Sequence, residues 1–137
     1  PIISMKAIDA GIDIFLQADM ERIRAKSVQQ SEYLIALAHE WLMPLGFTLG
    51  SPQNAEDRGS HVSLRHPEGY RISRAMIDSP PPAIQIIPDF RAPDYIRMGI
   101  SPLYTTFTDI YFAMHRIREI VEKKIHEQYS SEKVAVT

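Results

Sequence analysis

Arg97 is the residue of this chain whose neighbours best fit it for chemistry. It stands in the stretch IIPDFRAPDYIRMGISPLYTTF, residues 86–107, among the apolar residues Ile96, Met98 and Ile100. Those three are spaced two apart, so on a strand they share one face and Arg97 leaves from the other. An arginine held on a strand presents a rigid planar fork that matches a carboxylate or a phosphate. Spacing alone leaves a second reading equally open, an ion pair with Asp89 or Asp94 that pins the loop over residues 88–93.

The other candidates are weaker. Tyr104 follows Pro102 near a helix start and could offer its hydroxyl to a ligand, although such a tyrosine more often packs its ring and bonds the nearby backbone. His61 and His66 lie five apart and fall on opposite faces of a strand, a poor geometry for one shared metal, so both read as hydrogen-bonded or exposed histidines. His39, His115 and His126 sit in helical stretches without clustered carboxylates and are expected at the surface. Arg65, Arg71 and Arg74 near His66 could form a basic patch, but a solvated helix face accounts for them better. No Walker loop, GxGxxG, GxSxG, HExxH or EF-hand pattern occurs. The residues alone therefore assemble no complete active site, and no metal site.

A chain of 137 residues is expected to form one domain, with a core large enough to fold without metal or disulfide. Hydrophobic residues at 45% and charged residues at 23% are ordinary globular values. A net charge of −2 offers no basic stripe for DNA or RNA, so no nucleic-acid partner is expected. Cysteine is absent, which excludes disulfides and thiolate chemistry and allows a cytoplasmic location. No apolar run approaches the roughly 18 to 20 residues of a membrane span, and no secretory pattern is readable, so no membrane partner is expected. Opening on Pro1 fits loss of an initiator methionine and equally fits a piece of something longer.

These residues need elements to position them. Ser4 can cap a first helix in which Ile8, Ile12 and Phe15 or Leu16 recur at helical spacing, and Asp19 reads as a second N-cap with Glu21 in its first turn. That second helix should run to about Met43, polar early and apolar late through Leu34, Leu37, Ala38, Trp41 and Leu42. Its polar half reads as half exposed or as lying between two domains. Pro44 and Gly46 close it, and residues 52–59 read as a polar loop. A short strand is expected over residues 61–64, a helix from Pro67 to about Asp78, an extended connector at Pro80, Pro81 and Pro82, and further strands over residues 84–87 and 95–100. Thr106 and Asp109 form a capping box for a last helix whose stripe is Phe107, Ile110, Met114, Ile117, Val121 and Ile125; the tail beyond Tyr129 should fray. The expected class is α+β, with helices covering one face of a small, mostly antiparallel sheet.

Two stretches carry a family resemblance: RGSHVSLRHPEGYRISRAMI, and IPDFRAPDYIRMGISPLYTTFTDIYFAM. Their order resembles the C-terminal part of kynureninases, and the opening PIISMKAIDAGIDIF followed by MERIRAKS is similar to the same family just after its lysine-bearing core. The resemblance covers nearly the whole chain. It implies the small C-terminal domain of an aminotransferase-like (fold type I) pyridoxal-phosphate enzyme, with residues 1–45 as a helical lead-in and residues 58–130 as the α/β small domain.

The same resemblance implies that Arg97, in the segment IRMGISPLY, binds the α-carboxylate of the substrate. It gives Arg58, at the entry to the small domain, a structural role without chemistry. It further implies hydrolysis of L-kynurenine or its 3-hydroxy form to the corresponding anthranilate and L-alanine in tryptophan catabolism, with pyridoxal 5'-phosphate as electron sink. The cofactor's lysine is expected in a large domain preceding Pro1, because Lys6, Lys26, Lys123, Lys124 and Lys133 all fall outside the matching motif. The parent enzyme is then a cytoplasmic homodimer, and this chain alone should be inactive. A free-standing, non-catalytic interaction or amino-acid-sensing module with the same small-domain fold is the alternative.

Overall fold

The computed structural model describes residues 2–132, and within a first helix α1 (Ile2–Ala18) leaves some side chains undescribed. Helix α1 begins before Ser4, which therefore does not cap it. Asp19, at φ 67°, breaks the chain and caps helix α2 (Met20–Leu37) by accepting the Glu21 N–H at 3.0 Å. The helical path continues as a wider π turn (Ala38–Leu42) and a tight turn (Met43–Leu45). Gly46 ends it at φ 92°, a conformation in which a Cβ is strained, so glycine is the fitting residue there.

The sheet has four strands in the order β1–β2–β4–β3, each neighbouring pair antiparallel, with β1 (Thr48–Leu49), β2 (His61–Arg65), β3 (Asp89–Arg91) and β4 (Tyr95–Gly99). Val62 pairs with Met98 and Leu64 with Ile96, and all four side chains are buried. Period-two alternation sends these side chains to one face, where helix α3 (Gly69–Ile77), helix α4 (Phe107–Glu122) and the end of α2 cover them. Ile72, Met76, Met114, Ile117, Ile120 and Leu42 complete that core without measurable exposure.

Two further expectations need correcting, and one strand is new. Residues 84–87 form no strand: the Ile86 N–H bonds back to the Met76 carbonyl at 3.0 Å, and Ile84 and Ile87 are exposed. The loop after the prolines thus doubles back along the end of α3, and pairing with β4 starts only at Asp89. The last helix stops at Glu122, because Lys124 adopts a left-handed conformation and Ile125 lies in a separate turn (Ile125–Gln128). Strand β1 was not foreseen, since two residues are too few to show alternation.

The Thr106 and Asp109 capping box is present in both directions, with Asp109 N–H on Thr106 Oγ1 at 3.1 Å and Thr106 N–H on Asp109 Oδ2 at 2.8 Å. Helix α1 is different from the rest. Met5, Ile8, Ile12, Ile14, Phe15 and Leu16 are all exposed, so these six are not part of the core. No described helix is long and apolar enough to cross a membrane. Most of the tail beyond Tyr129, from residue 133 on, lies outside the described residues.

Candidate functional site

Arg97 occupies the middle of β4, with Ser63 of β2 opposite it on one side and Asp89 of β3 on the other. Its neighbours Ile96 and Met98 are buried under the helices, so Arg97 projects from the other face, and its side chain is 38% exposed. Nη1 lies 3.4 Å from Asp89 Oδ2, an ion pair too loose for a good hydrogen bond. The same Asp89 oxygen accepts Arg91 Nε–H at 3.0 Å. A guanidinium carries five N–H donors, so one long contact with a shared carboxylate leaves most of the fork open to a ligand.

Both readings of Arg97 thus meet in one geometry: the pair with Asp89 exists, and the fork remains accessible. Asp94 is not its partner. Arg65 takes that carboxylate with two donors, Nε at 3.2 Å and Nη2 at 3.0 Å, while its guanidinium lies 4.9 Å from the Tyr95 ring centre. The turn between β3 and β4 is therefore pinned by Arg65.

The remaining candidates separate. Tyr104 is 79% exposed on the segment between β4 and α4. Arg65, Arg71 and Arg74 form no shared patch, because each has its own acid: Asp94, Glu68 and Asp78. Arg71 Nε–H also donates to the Tyr129 carbonyl at 2.7 Å, tying α3 to the last turn.

His66 is half-buried beside the Phe47 ring. Its Nδ1 accepts the Glu68 N–H at 3.0 Å, and its Nε2 faces the Leu45 carbonyl at 3.2 Å. That arrangement requires a neutral ring with the proton on Nε2, and burial pushes its pKa below the ordinary histidine value. His126 corrects its expectation: it is buried, with Nδ1 3.3 Å from the Ile120 carbonyl, because the turn after Lys124 folds it back under α4. Among the described residues no group of three or more His, Asp or Glu could hold a metal ion.

Two arginines have structural roles that sequence reasoning saw only in part. Arg58, 7% exposed, donates to Ser31 Oγ and the Pro52 carbonyl and pairs with Glu32, which ties the loop over residues 52–59 to α2. Arg116 went unnoticed. It is buried beneath α4, donating to Ser79 Oγ at 3.2 and 3.1 Å and pairing with Glu119. Hydrogen bonds from Lys123 and Arg116 hold the Glu119 carboxyl down at about 2. The signal for Arg116 was its place between Met114 and Ile117 on the core side of the helix.

Among the described residues the strands of the sheet carry no lysine. Lys6 and Lys26 lie in α1 and α2, Lys123 and Lys124 follow α4, and Lys133 is outside the described residues.

A family described as the kynureninase C-terminal domain matches residues 23–117, which include every strand of the sheet, Arg97 and Tyr104. The chain belongs to that family. It is 38% identical over 128 residues to a kynureninase of Pseudomonas fluorescens, covering 93% of this chain. A kynureninase of Geobacillus thermodenitrificans is 33% identical over 98% of the chain, and one of Burkholderia mallei 36% identical over 89%. The chain spans only 28 to 30% of the length of these relatives. In this kynureninase C-terminal domain the matched region starts inside α2, so α1, with its exposed apolar residues, precedes it.

Proposed function

We propose that the chain serves as the small domain of a kynureninase and that Arg97 binds the α-carboxylate of L-kynurenine or its 3-hydroxy form. The observation that carries this reading is the Arg97 fork, held mid-strand, accessible, and engaged by one long contact to Asp89. A mid-strand arginine fixes both the position and the plane of a bound carboxylate, which orients the rest of an amino-acid substrate before reaction.

When bound, pyridoxal phosphate would supply the electron sink for Cβ–Cγ cleavage to an anthranilate and L-alanine. None of the lysines of this chain falls in the motif that the family resemblance implies for the cofactor, so its contacts are assigned to a preceding large domain. The apolar residues exposed along α1 support such a neighbour, because an uncovered stripe of this kind commonly marks a contact surface. The full-length protein is read as a cytoplasmic homodimer, and the chain by itself as inactive.

Replacing Arg97 with Lys in the full-length protein tests the assignment. Lysine keeps the charge and loses the bidentate fork. Loss of a charged hydrogen bond of about 1.5 to 3 kcal/mol corresponds to a KM for kynurenine raised roughly ten- to a hundredfold. Cofactor absorbance should be unchanged. An unchanged KM overturns the role given to Arg97.

A further inference from the structure

Helix α2 buries polar residues where a helix ordinarily buries apolar ones. Ser27, Gln30 and Ser31 are 3%, 0% and 1% exposed, and each is tied to a distant part of the chain. Ser31 holds Arg58, as described above. Ser27 Oγ–H donates to Ser60 Oγ at 2.9 Å, and the Ser60 carbonyl accepts the Ile100 N–H at 3.0 Å. Gln30 Nε2–H donates to the Thr105 carbonyl at 2.7 Å. Thr105 in turn closes a small turn, its N–H on the Ser101 carbonyl at 2.9 Å and its Oγ1 accepting the Ser101 N–H at 3.3 Å.

Residues 100–105 leave the strand of Arg97, and α2 therefore holds them at both ends. Ile100, three residues after Arg97, is fixed through Ser60 and Ser27. Thr105, next to exposed Tyr104, is fixed by Gln30. We propose that Gln30 is a positioning residue for the carboxylate site, its amide N–H holding the exit of β4 so that Arg97 meets the substrate in one orientation. This rests on the reading of Arg97 given above.

The Gln30 amide has an unusual balance that makes the idea testable. Its Oε1 is buried without a hydrogen-bond partner. Gln30→Met, similar in shape, removes the donor together with the unpaired acceptor but leaves the part-buried Thr105 carbonyl without that bond, so a modest loss in stability is expected. A purely structural role predicts lower stability with unchanged KM.

The experiment uses the full-length enzyme and the variants Gln30→Met, Arg97→Lys and the pair combined. For Gln30→Met the expected result is a KM for kynurenine raised about three- to tenfold with kcat within about twofold of the parent, the signature of lost ground-state positioning. Hydrogen exchange across residues 100–105 should quicken. In the Arg97→Lys background Gln30→Met should add little, since both act on one contact. An unchanged KM for Gln30→Met, or an equal rise in both backgrounds, overturns the proposal. Arg97→Lys without effect on KM while Gln30→Met raises it defeats the reading of Arg97, and with it this route. Ser27→Ala is the milder companion that keeps the test open if Gln30→Met does not fold: it should raise KM by less, again only while Arg97 is present, and no rise counts against the proposal.

Discussion

Replacing Asp89 with Asn isolates the ion pair that, on the reading proposed above, competes with a substrate carboxylate for Arg97. The two charged groups stand 3.4 Å apart, with side chains 38% and 49% exposed, so water and salt screen their attraction. Pairs of this kind contribute about 0.2 to 1 kcal/mol. Asp89 is moreover shared, because Oδ2 already accepts the Arg91 Nε–H. The loss in folding stability should therefore stay within about 1 kcal/mol, measured by urea unfolding of the isolated chain. The functional effect has the opposite sign. A free Arg97 no longer has to leave Asp89 to receive a ligand, and recovering at most about 1 kcal/mol lowers the KM for kynurenine by up to about fivefold. Steady-state kinetics of the full-length enzyme at two ionic strengths provide the assay, and the gain should shrink as salt rises. A KM that increases tenfold would refute the reasoning, since Asp89 would then be aligning Arg97 instead of competing for it.

Two further outcomes concern the fold that carries the site. Met114 is fully buried between α4 and the sheet, so Met114→Ala should cost about 2 to 5 kcal/mol in urea unfolding; a cost below about 1 kcal/mol would mean that the core collapses around the gap. His66 has its pKa depressed by burial, so as pH falls the unfolded chain takes up the proton first. Its contribution is complete above pH 6.5 and is lost as pH drops through the lower folded-state value, where a protonated Nδ1 can no longer accept the Glu68 N–H. His66→Gln should flatten the fall in stability as pH drops below 6.5, and an unaltered slope would assign it to other groups. The low Glu119 value acts in a separate window, its contribution present above about 4.5 and lost towards about 2.

Local patterns were legible in the sequence because their causes are local. The Asp19 cap and the Thr106 and Asp109 capping box depend on residues two or three apart. The stripe of Ile110, Met114 and Ile117 and the alternation around Arg97 report which face is covered, whatever covers it. The same alternation placed Arg97 on the face of the sheet away from the helices, and the role proposed for it comes from the family motif, which periodicity could not provide.

Tertiary structure decided the partners. Residues 84–87 have a strand's composition, but their backbone returns to α3 instead of joining the sheet. His126 looked like a surface histidine until the turn after Lys124 buried it. The polar half of α2 read as half exposed or as lying between two domains, and most of it is exposed; Ser27 and Gln30 are buried, because Ser27 meets a residue 33 positions away and Gln30 one 75 positions away. Burial of a polar side chain is stable when a distant partner satisfies it, and no window of neighbouring residues contains that partner. Sequence alone therefore determined that Arg97 is presented on a strand face; the fold decided that Asp89 shares it and that α2 holds the chain beyond it.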